Sequence, residues 1–140
     1  MSKRMDGKVA RSFETVVEER FGPAAAEWGL AGPECDGIVI PTVEYRAIGL
    51  VYCWKFDPEE RYVTVSVRRV VGDETLVCDL EDLVVTAGLG KRQQIRQNAV
   101  TLRNLHQAVE SQVEWLARIH PLVTGPDAAD LMRRAGAKVW

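Results

Sequence analysis

The chain has 140 residues, the usual size of one folded domain. Its 18 basic and 20 acidic side chains give a formal net charge of −2, and this near-neutral balance disfavours a nucleic acid or another polyanion as the main partner. Apolar residues make up 46% of the chain and charged residues 27%, close to the averages of globular proteins, so the composition disfavours a largely disordered chain.

Two features of the sequence favour a cytoplasmic location. No stretch approaches the roughly 20 consecutive apolar residues of a membrane-spanning helix, and residues 1–12 lack the apolar segment of a secretory signal. The cysteines have no CxxC spacing, as expected for reduced thiols in the core rather than for a disulfide or a zinc site; they are Cys35, Cys53 and Cys78. We expect a cytoplasmic protein with no cofactor, no bound metal and no membrane contact.

The N-terminal part of the chain predicts two helices. Ser12 is a candidate N-cap, and apolar residues follow it at helical spacing until Gly22 and Pro23, where we expect the first helix to end. A second, short helix is predicted over residues 23–29. Residues 30–37 are typical of a loop.

The middle of the chain has the two-residue periodicity of β-strands. Strands are predicted over residues 38–48, 49–56, 61–71 and 75–80. Residues 57–60 favour a turn, and the glycine at position 72 favours a type II′ hairpin.

The predicted pairing of these strands puts their large apolar side chains on one face. If Phe56 faces Arg61 across the turn, the pairs that follow are Trp54 with Val63, Tyr52 with Val65 and Leu50 with Val67. The next hairpin pairs Val67 with Cys78 and Val65 with Leu80. Cys53 and Cys78 then point to opposite faces, which makes a disulfide between them implausible.

Helical periodicity returns after the strands. A short helix is predicted over residues 80–87, and the longest helix runs from Ile95 to Pro121 with one apolar stripe. A last helix is predicted over residues 126–136. The fold class is therefore α+β: N-terminal helices, a three- to four-stranded antiparallel meander, and a long C-terminal helix packed on one sheet face. We expect one domain over residues 1–140, with residues 1–11 flexible.

The sequence has no recognisable catalytic motif. It contains no HExxH, no GxSxG and no paired Cys and His at an evident spacing. Both histidines, His106 and His120, lie on the long helix, where they are about 21 Å apart and cannot share a metal ion. We expect both to be structural, so a non-catalytic protein is favoured over an enzyme.

The order of the segments has a counterpart among known proteins. The helix "SFETVVEERFG", the hairpin "VYCWKFDPEERYVTVSVRRV", the short helix "LEDLVVTAG" and a long final helix resemble small bacterial α+β proteins, some of which are immunity proteins that neutralise a cognate toxin. The resemblance implies a non-catalytic binding protein, immunity- or antitoxin-like, whose partner is another protein such as a toxin. It transfers no site residue.

Two functional hypotheses follow, and we favour the first. In the first, the protein binds another protein through the mixed sheet face and the basic edge of the long helix, using Lys55, Tyr62, Arg68, Arg92, Arg96 and Arg103. The basic residues near the predicted start of that helix oppose its dipole, and an acidic partner would favour them there. In the second, a cleft between sheet and helix forms a small-molecule or enzyme site lined by Tyr52, Trp54, His106 and Trp115.

Overall fold

The chain folds into helices packed on one side of an antiparallel sheet. The computed structural model describes residues 2–37 and 40–140, with side chains from residue 9 onward. The described elements, in chain order, are α1 (Ser2–Glu27), β1 (Ala31–Asp36), β2 (Thr42–Ala47), β3 (Leu50–Asp57), β4 (Tyr62–Val71), β5 (Glu74–Asp79), α2 (Leu80–Thr86), a 3₁₀ turn (Arg92–Gln94), α3 (Leu102–Val123), α4 (Ala128–Arg134) and β6 (Lys138–Val139). The six strands form one sheet in which each strand pairs with its sequence neighbours.

One face of the sheet carries the hydrophobic core. Alternate residues of β2 to β5 point to this face and are buried, among them Tyr45, Tyr52, Trp54, Phe56, Val63, Val65, Val67 and Leu76. They form one cluster with apolar residues from all four helices, so the helices lie on the same side of the sheet. Among the described residues, no helix covers the opposite side, which we call the open face.

The strand count differs from the predicted three to four because both edge strands were missed. Residues 30–37, predicted to be a loop, contain β1, whose register shifts between Ala31 and Glu34. Pro33 lies within this shift, and β1 is mostly exposed, so it lacks the alternating pattern of a half-buried strand. At the other edge, β6 has only two residues and pairs with β5. Of the strand predicted over residues 38–48, β2 covers positions 42–47, while Ile38 and Val39 lie outside the described residues.

The register between β3 and β4 differs from the predicted one by two residues. Phe56 pairs with Val63, Trp54 with Val65, Tyr52 with Val67 and Leu50 with Arg69. The turn therefore occupies residues 58–61, and Arg61 adopts a positive φ of 57°. A carboxylate oxygen of Asp57 accepts hydrogen bonds from the backbone N–H groups of Glu59 and Glu60, at 2.9 and 3.1 Å. A shift of two residues keeps every side chain on its predicted face.

The pairing of β4 with β5 is partly as predicted. Val67 pairs with Cys78, and Gly72 has a positive φ of 61°, as the first central residue of a type II′ turn requires. The predicted pair of Val65 with Leu80 is wrong, because β5 ends at Asp79 and α2 begins at the next residue. Cys53 pairs with Ser66, so Cys53 and Cys78 do point to opposite faces.

Two prolines that were expected to end helices lie inside them. Pro23 is within α1, which is one helix and not two, and which begins at Ser2 rather than at Ser12. Pro121 is within α3. Both prolines are exposed, and so are Glu19 and Ala117, four residues earlier, whose carbonyls lose the hydrogen bond. Solvent can satisfy these carbonyls, so the buried faces of both helices continue past the prolines.

The long helix α3 starts seven residues later than predicted. It begins at Leu102, after Thr101, whose side chain accepts a hydrogen bond from the N–H of Asn104 at 3.0 Å. Ile95 and Ala99 are buried but precede the helix. The buried stripe of α3 is also rotated from the predicted one; it consists of Leu105, Ala108, Val109, Gln112, Trp115, Leu116, Ile119 and Val123. His106 and His120 are therefore only half-buried.

The two short helices are confirmed. α2 and α4 fall within the segments predicted for them, and α4 buries Leu131 and Met132. In the described part of the chain, no helix combines the length and the apolar character needed to cross a membrane.

Candidate protein-binding surface

The open face is a mixture of polar, apolar and charged side chains. The rows that cross it follow from the register: Thr42, Lys55 and Thr64; Glu44, Cys53, Ser66 and Asp79; Arg46, Val51, Arg68, Val77 and Lys138. Tyr62 lies at the end of β4 that joins the β3–β4 turn, and 44% of its surface is exposed. Near the opposite end of β4 are Val70, 50% exposed, and Trp140, 72% exposed. The face thus presents two large aromatic side chains that no described element buries.

An ion-pair chain crosses part of this face. Arg46 contacts Glu34 at 2.8 Å and Glu44 at 2.5 Å, so it links β1 to β2. Glu44 also lies 3.8 Å from Arg68 on β4. The guanidinium of Arg68 is in turn 3.8 Å from the centre of the Trp140 ring, within the range of a cation–π contact. Arg68, expected to be an exposed binding residue, is therefore half-buried and already has two partners.

Lys55 and Tyr62, unlike Arg68, have the exposure expected of binding residues. Both are exposed and lie on the open face near the β3–β4 turn. Tyr62 forms an isolated β-bridge with Asn98, and Val63 donates its N–H to the carbonyl of Gln97 at 2.8 Å. This pairing places the segment 96–98 beside the end of β4. The open face therefore continues, through this segment, to the region of Arg96.

The three arginines of the basic helix edge have different environments. Arg92 binds Asp82 and lies 3.2 Å from Glu81, at the first turn of α2. Its position before the long helix is thus explained by α2 carboxylates and needs no acidic partner. Arg96 and Arg103 are exposed. Arg103 belongs to the first turn of α3, whereas Arg96 lies in the extended segment before it.

The four residues of the alternative cleft lie in separate places. Trp54 and Tyr52 are fully buried beneath α1 and α3, so neither lines an open cavity. His106 accepts a hydrogen bond at Nδ1 from Nε of Arg20, at 3.3 Å, and this arginine also forms a 2.7 Å ion pair with Glu110. Trp115 packs instead against Arg118, whose guanidinium is 4.7 Å from its ring centre.

The histidine that meets Tyr52 is His120 and not His106. The Tyr52 hydroxyl is 2.6 Å from Nδ1 of His120, whose ring stacks on Trp28 at 4.1 Å with an interplanar angle of 7°. Burial raises the pKa of the Tyr52 phenol and lowers the pKa of His120. The buried phenol therefore stays protonated, and its hydrogen-bond partner is a neutral imidazole. The predicted stripe places both histidines towards the sheet, and sequence spacing cannot distinguish which of them meets Tyr52.

The cysteines do not form a reactive or metal-binding group. All three are free thiols; Cys53 and Cys78 are buried, while Cys35 is exposed, contrary to expectation, because it lies on the edge strand β1. Burial raises the pKa of Cys53, and it raises the pKa of Cys78 to about 11, so both remain protonated. Nowhere in the described ranges do three or more His, Cys, Asp or Glu side chains meet in a way that could hold a metal ion.

Comparisons with known proteins add no assignment. The chain matches no protein-family model, and searches of curated proteins and of solved structures find no significant match.

Proposed function

We propose that the protein is a non-catalytic binding module that holds a partner protein against the open face of its sheet. The observation that carries this proposal is the one-sided packing: the helices contribute to a single core on one face, and the other face remains uncovered among the described residues. An antiparallel sheet can keep one face in water, but such a face is then usually polar. Here it carries an exposed tyrosine, an exposed tryptophan and an exposed valine, Tyr62, Trp140 and Val70.

The residue types on the open face support a protein partner. Tryptophan, tyrosine and arginine dominate the binding energy of protein interfaces because they combine large contact area with a polar group. Trp140 rests on Arg68, and the Glu44 carboxylate lies close to the same guanidinium, so the aromatic ring and the charge are held in place before a partner arrives. Neutralisation of a toxin, as by immunity proteins, is the specific role suggested by the resemblance in segment order.

A cytoplasmic location belongs to the same proposal. Free thiols persist in a reducing compartment, and Cys35 is both exposed and unpaired. A binding partner would then be met inside the cell.

The test is a titration of an affinity-purified partner against matched variants. Lys55→Glu and Tyr62→Ser change the open face, while Arg133→Glu and Val85→Ser make comparable changes at exposed positions on α4 and α2. Substitutions at exposed sites usually alter stability by less than about 0.5 kcal/mol, so all four variants should remain folded. We expect about tenfold weaker binding in the open-face variants and unchanged binding in the helix variants. The opposite pattern, with binding lost only in the helix variants, would refute the proposal.

A further inference from the structure

A polar groove lies on the helix side of the molecule, next to the segment that continues from the open face. It has a volume of about 500 Å³ and lies between residues 94–96 and the outer side of α3. Its lining is polar and charged apart from one tryptophan: Gln94, Arg96, Gln107, Glu110, Ser111, Glu114, Trp115 and Arg118. Such a lining is unlike the mostly apolar pockets that enclose small molecules.

The backbone of Arg96 is fastened to α3 from both sides. Its N–H donates to the hydroxyl of Ser111 at 3.2 Å, and its carbonyl accepts from Nε2 of Gln112 at 2.8 Å. Gln112 is the one polar side chain in the described core, and its Nε2 also donates to the carbonyl of Val63 at 2.8 Å. A buried amide thus ties the groove wall to both β4 and α3, so the position of Arg96 is fixed at its Cα.

The floor of the groove is equally constrained. The loop backbone at Gly90 lies so close to Trp115 that a Cβ there would come within 2.5 Å of the ring. Arg118 packs over the same ring, its guanidinium 4.7 Å from the ring centre. The tryptophan therefore supports the second arginine of the groove, as cation–π contacts do.

In the described part of the chain, the two arginines that line the groove, Arg96 and Arg118, are not paired with a carboxylate. Glu110 is paired with Arg20 at 2.7 Å. Glu114 is one helical turn from Arg118, yet among the described residues neither Arg96 nor Arg118 forms an ion pair. The lining itself carries two guanidinium groups and two carboxylates, but Arg20, from outside the lining, already pairs with Glu110. The groove and its bound Arg20 therefore have an excess of one positive charge, and only Glu114 offsets the two unpaired arginines.

We propose that this groove binds an acidic segment of the partner protein through carboxylates that engage Arg96 and Arg118. The inference rests on the proposed function and deepens it, because the groove adjoins the Tyr62 end of the open face through the Tyr62–Asn98 bridge. Guanidinium groups pair with carboxylates in a planar, two-bond geometry. The side-chain NH₂ groups of Gln94 and Gln107, which also line the groove, are further donors for the same ligand; the Gln94 oxygen accepts from the Lys91 N–H. The groove is open and polar, so it suits a peptide segment.

The direct test is a titration followed by ¹H–¹⁵N NMR. The probe is a capped peptide of alternating glutamate and glycine, compared with its glutamine counterpart and with inorganic phosphate. The acidic peptide should shift the amides of Arg96 and Ser111 and the indole N–H of Trp115, and the glutamine peptide should not. In the double variant Arg96→Gln, Arg118→Gln, binding should weaken roughly tenfold, whereas Arg133→Gln on α4 should leave it unchanged.

Three outcomes would overturn the groove proposal: no shifts at about 10 mM acidic peptide, equal shifts with the glutamine peptide, or saturation by phosphate with the same affinity, which would indicate an unspecific anion site.

Titration with the purified partner separates the two proposals. If the Lys55 and Tyr62 variants weaken the complex and the Arg96, Arg118 variant does not, the open face stands as the binding surface and the groove proposal falls. If only the arginine variant weakens the complex, the open-face proposal falls and the groove stands.

Discussion

Tyr52 and His120 show how a single polar contact is kept inside an apolar layer. The hydroxyl forms a hydrogen bond with Nδ1 of a neutral imidazole, and Trp28 covers the ring. Protonation of the ring would make Nδ1 a donor to the phenol oxygen and would place a positive charge in this apolar layer. Burial lowers the pKa of His120 for the same reason that it raises the pKa of Tyr52: the charged form loses its hydration.

We expect the free energy of unfolding to decrease as the pH is lowered through the range in which His120 takes up a proton. The unfolded chain takes up a proton at this histidine near its ordinary pKa of about 6.5, whereas the folded chain resists protonation to lower pH. The contribution of the neutral histidine is therefore complete above about pH 6.5 and is lost as the pH falls below that value. Urea unfolding at pH 7.5 and 5.5 measures the effect. His120→Gln should reduce the difference between the two, and His106→Gln should retain it; equal pH dependence in wild type and His120→Gln would contradict the assignment.

Gln112 is a second residue whose polar group is essential where it lies. Its replacement by leucine would leave the carbonyls of Val63 and Arg96 without their 2.8 Å donors. Because such buried acceptors lose the full benefit of solvation, we expect Gln112→Leu to lower the free energy of unfolding by about 1 to 3 kcal/mol. Ser111→Ala, on the adjacent half-buried position, is the control and should cost less. Chemical denaturation of both variants measures the two losses of stability. An unchanged free energy of unfolding in Gln112→Leu would show that these two hydrogen bonds are dispensable.

At the scale of single elements, β4 separates the two faces of the sheet most clearly. Val65 is buried against the helices, while its neighbour Thr64 is half-buried on the open face. We expect Val65→Ala to destabilise the fold by about 1 to 3 kcal/mol through the cavity it leaves, and Thr64→Ala to have a much smaller effect. The denaturation midpoints measure this. Equal effects at the two positions would contradict the assignment of the faces.

The elements also show what the sequence could and could not predict. The strict alternation from Leu50 to Val67 was enough to predict which side chains are buried. The predicted register was wrong by two residues, but a shift of two leaves each side chain on the same face. The error arose at Arg61, whose positive φ is rare for a residue other than glycine. The edge strand β1 escaped prediction because exposure on both faces removes the alternating signal. The start of α3 was placed too early because Ile95 and Ala99 are buried at helical spacing without being helical.

For the candidate binding residues, sequence position predicted exposure in some cases and missed a tertiary partner in others. Lys55, Tyr62, Arg96 and Arg103 are exposed, as their positions suggested, and their role in binding stays a prediction. Arg68 and Arg92 are paired with carboxylates on other elements. Sequence spacing does not reveal such tertiary partners.

For the whole molecule, we expect stability that is independent of redox state and of metal. The three cysteines are free thiols, and Cys53 and Cys78 lie on opposite faces of the sheet. In the part of the chain that the structure describes, no group of three or more His, Cys, Asp or Glu side chains could hold a metal ion. We therefore expect neither a disulfide nor a metal ion to contribute to the free energy of unfolding. Thermal unfolding should agree within error with and without a reductant, and with and without a chelator. A marked fall in the midpoint with either reagent would contradict this reading.

The order of the strands has a consequence for how the chain reaches this structure. Each strand of the meander pairs with the strand before it in sequence. Contacts between near neighbours form quickly, because only a short loop must close. During synthesis, β2 to β5 can therefore each pair with the strand made just before it, whereas β6 can pair with β5 only after residues 80–137 have been made. α1 packs against α3, which is distant from it in sequence. The apolar face of the sheet is therefore fully buried only after the long helix α3 has been made.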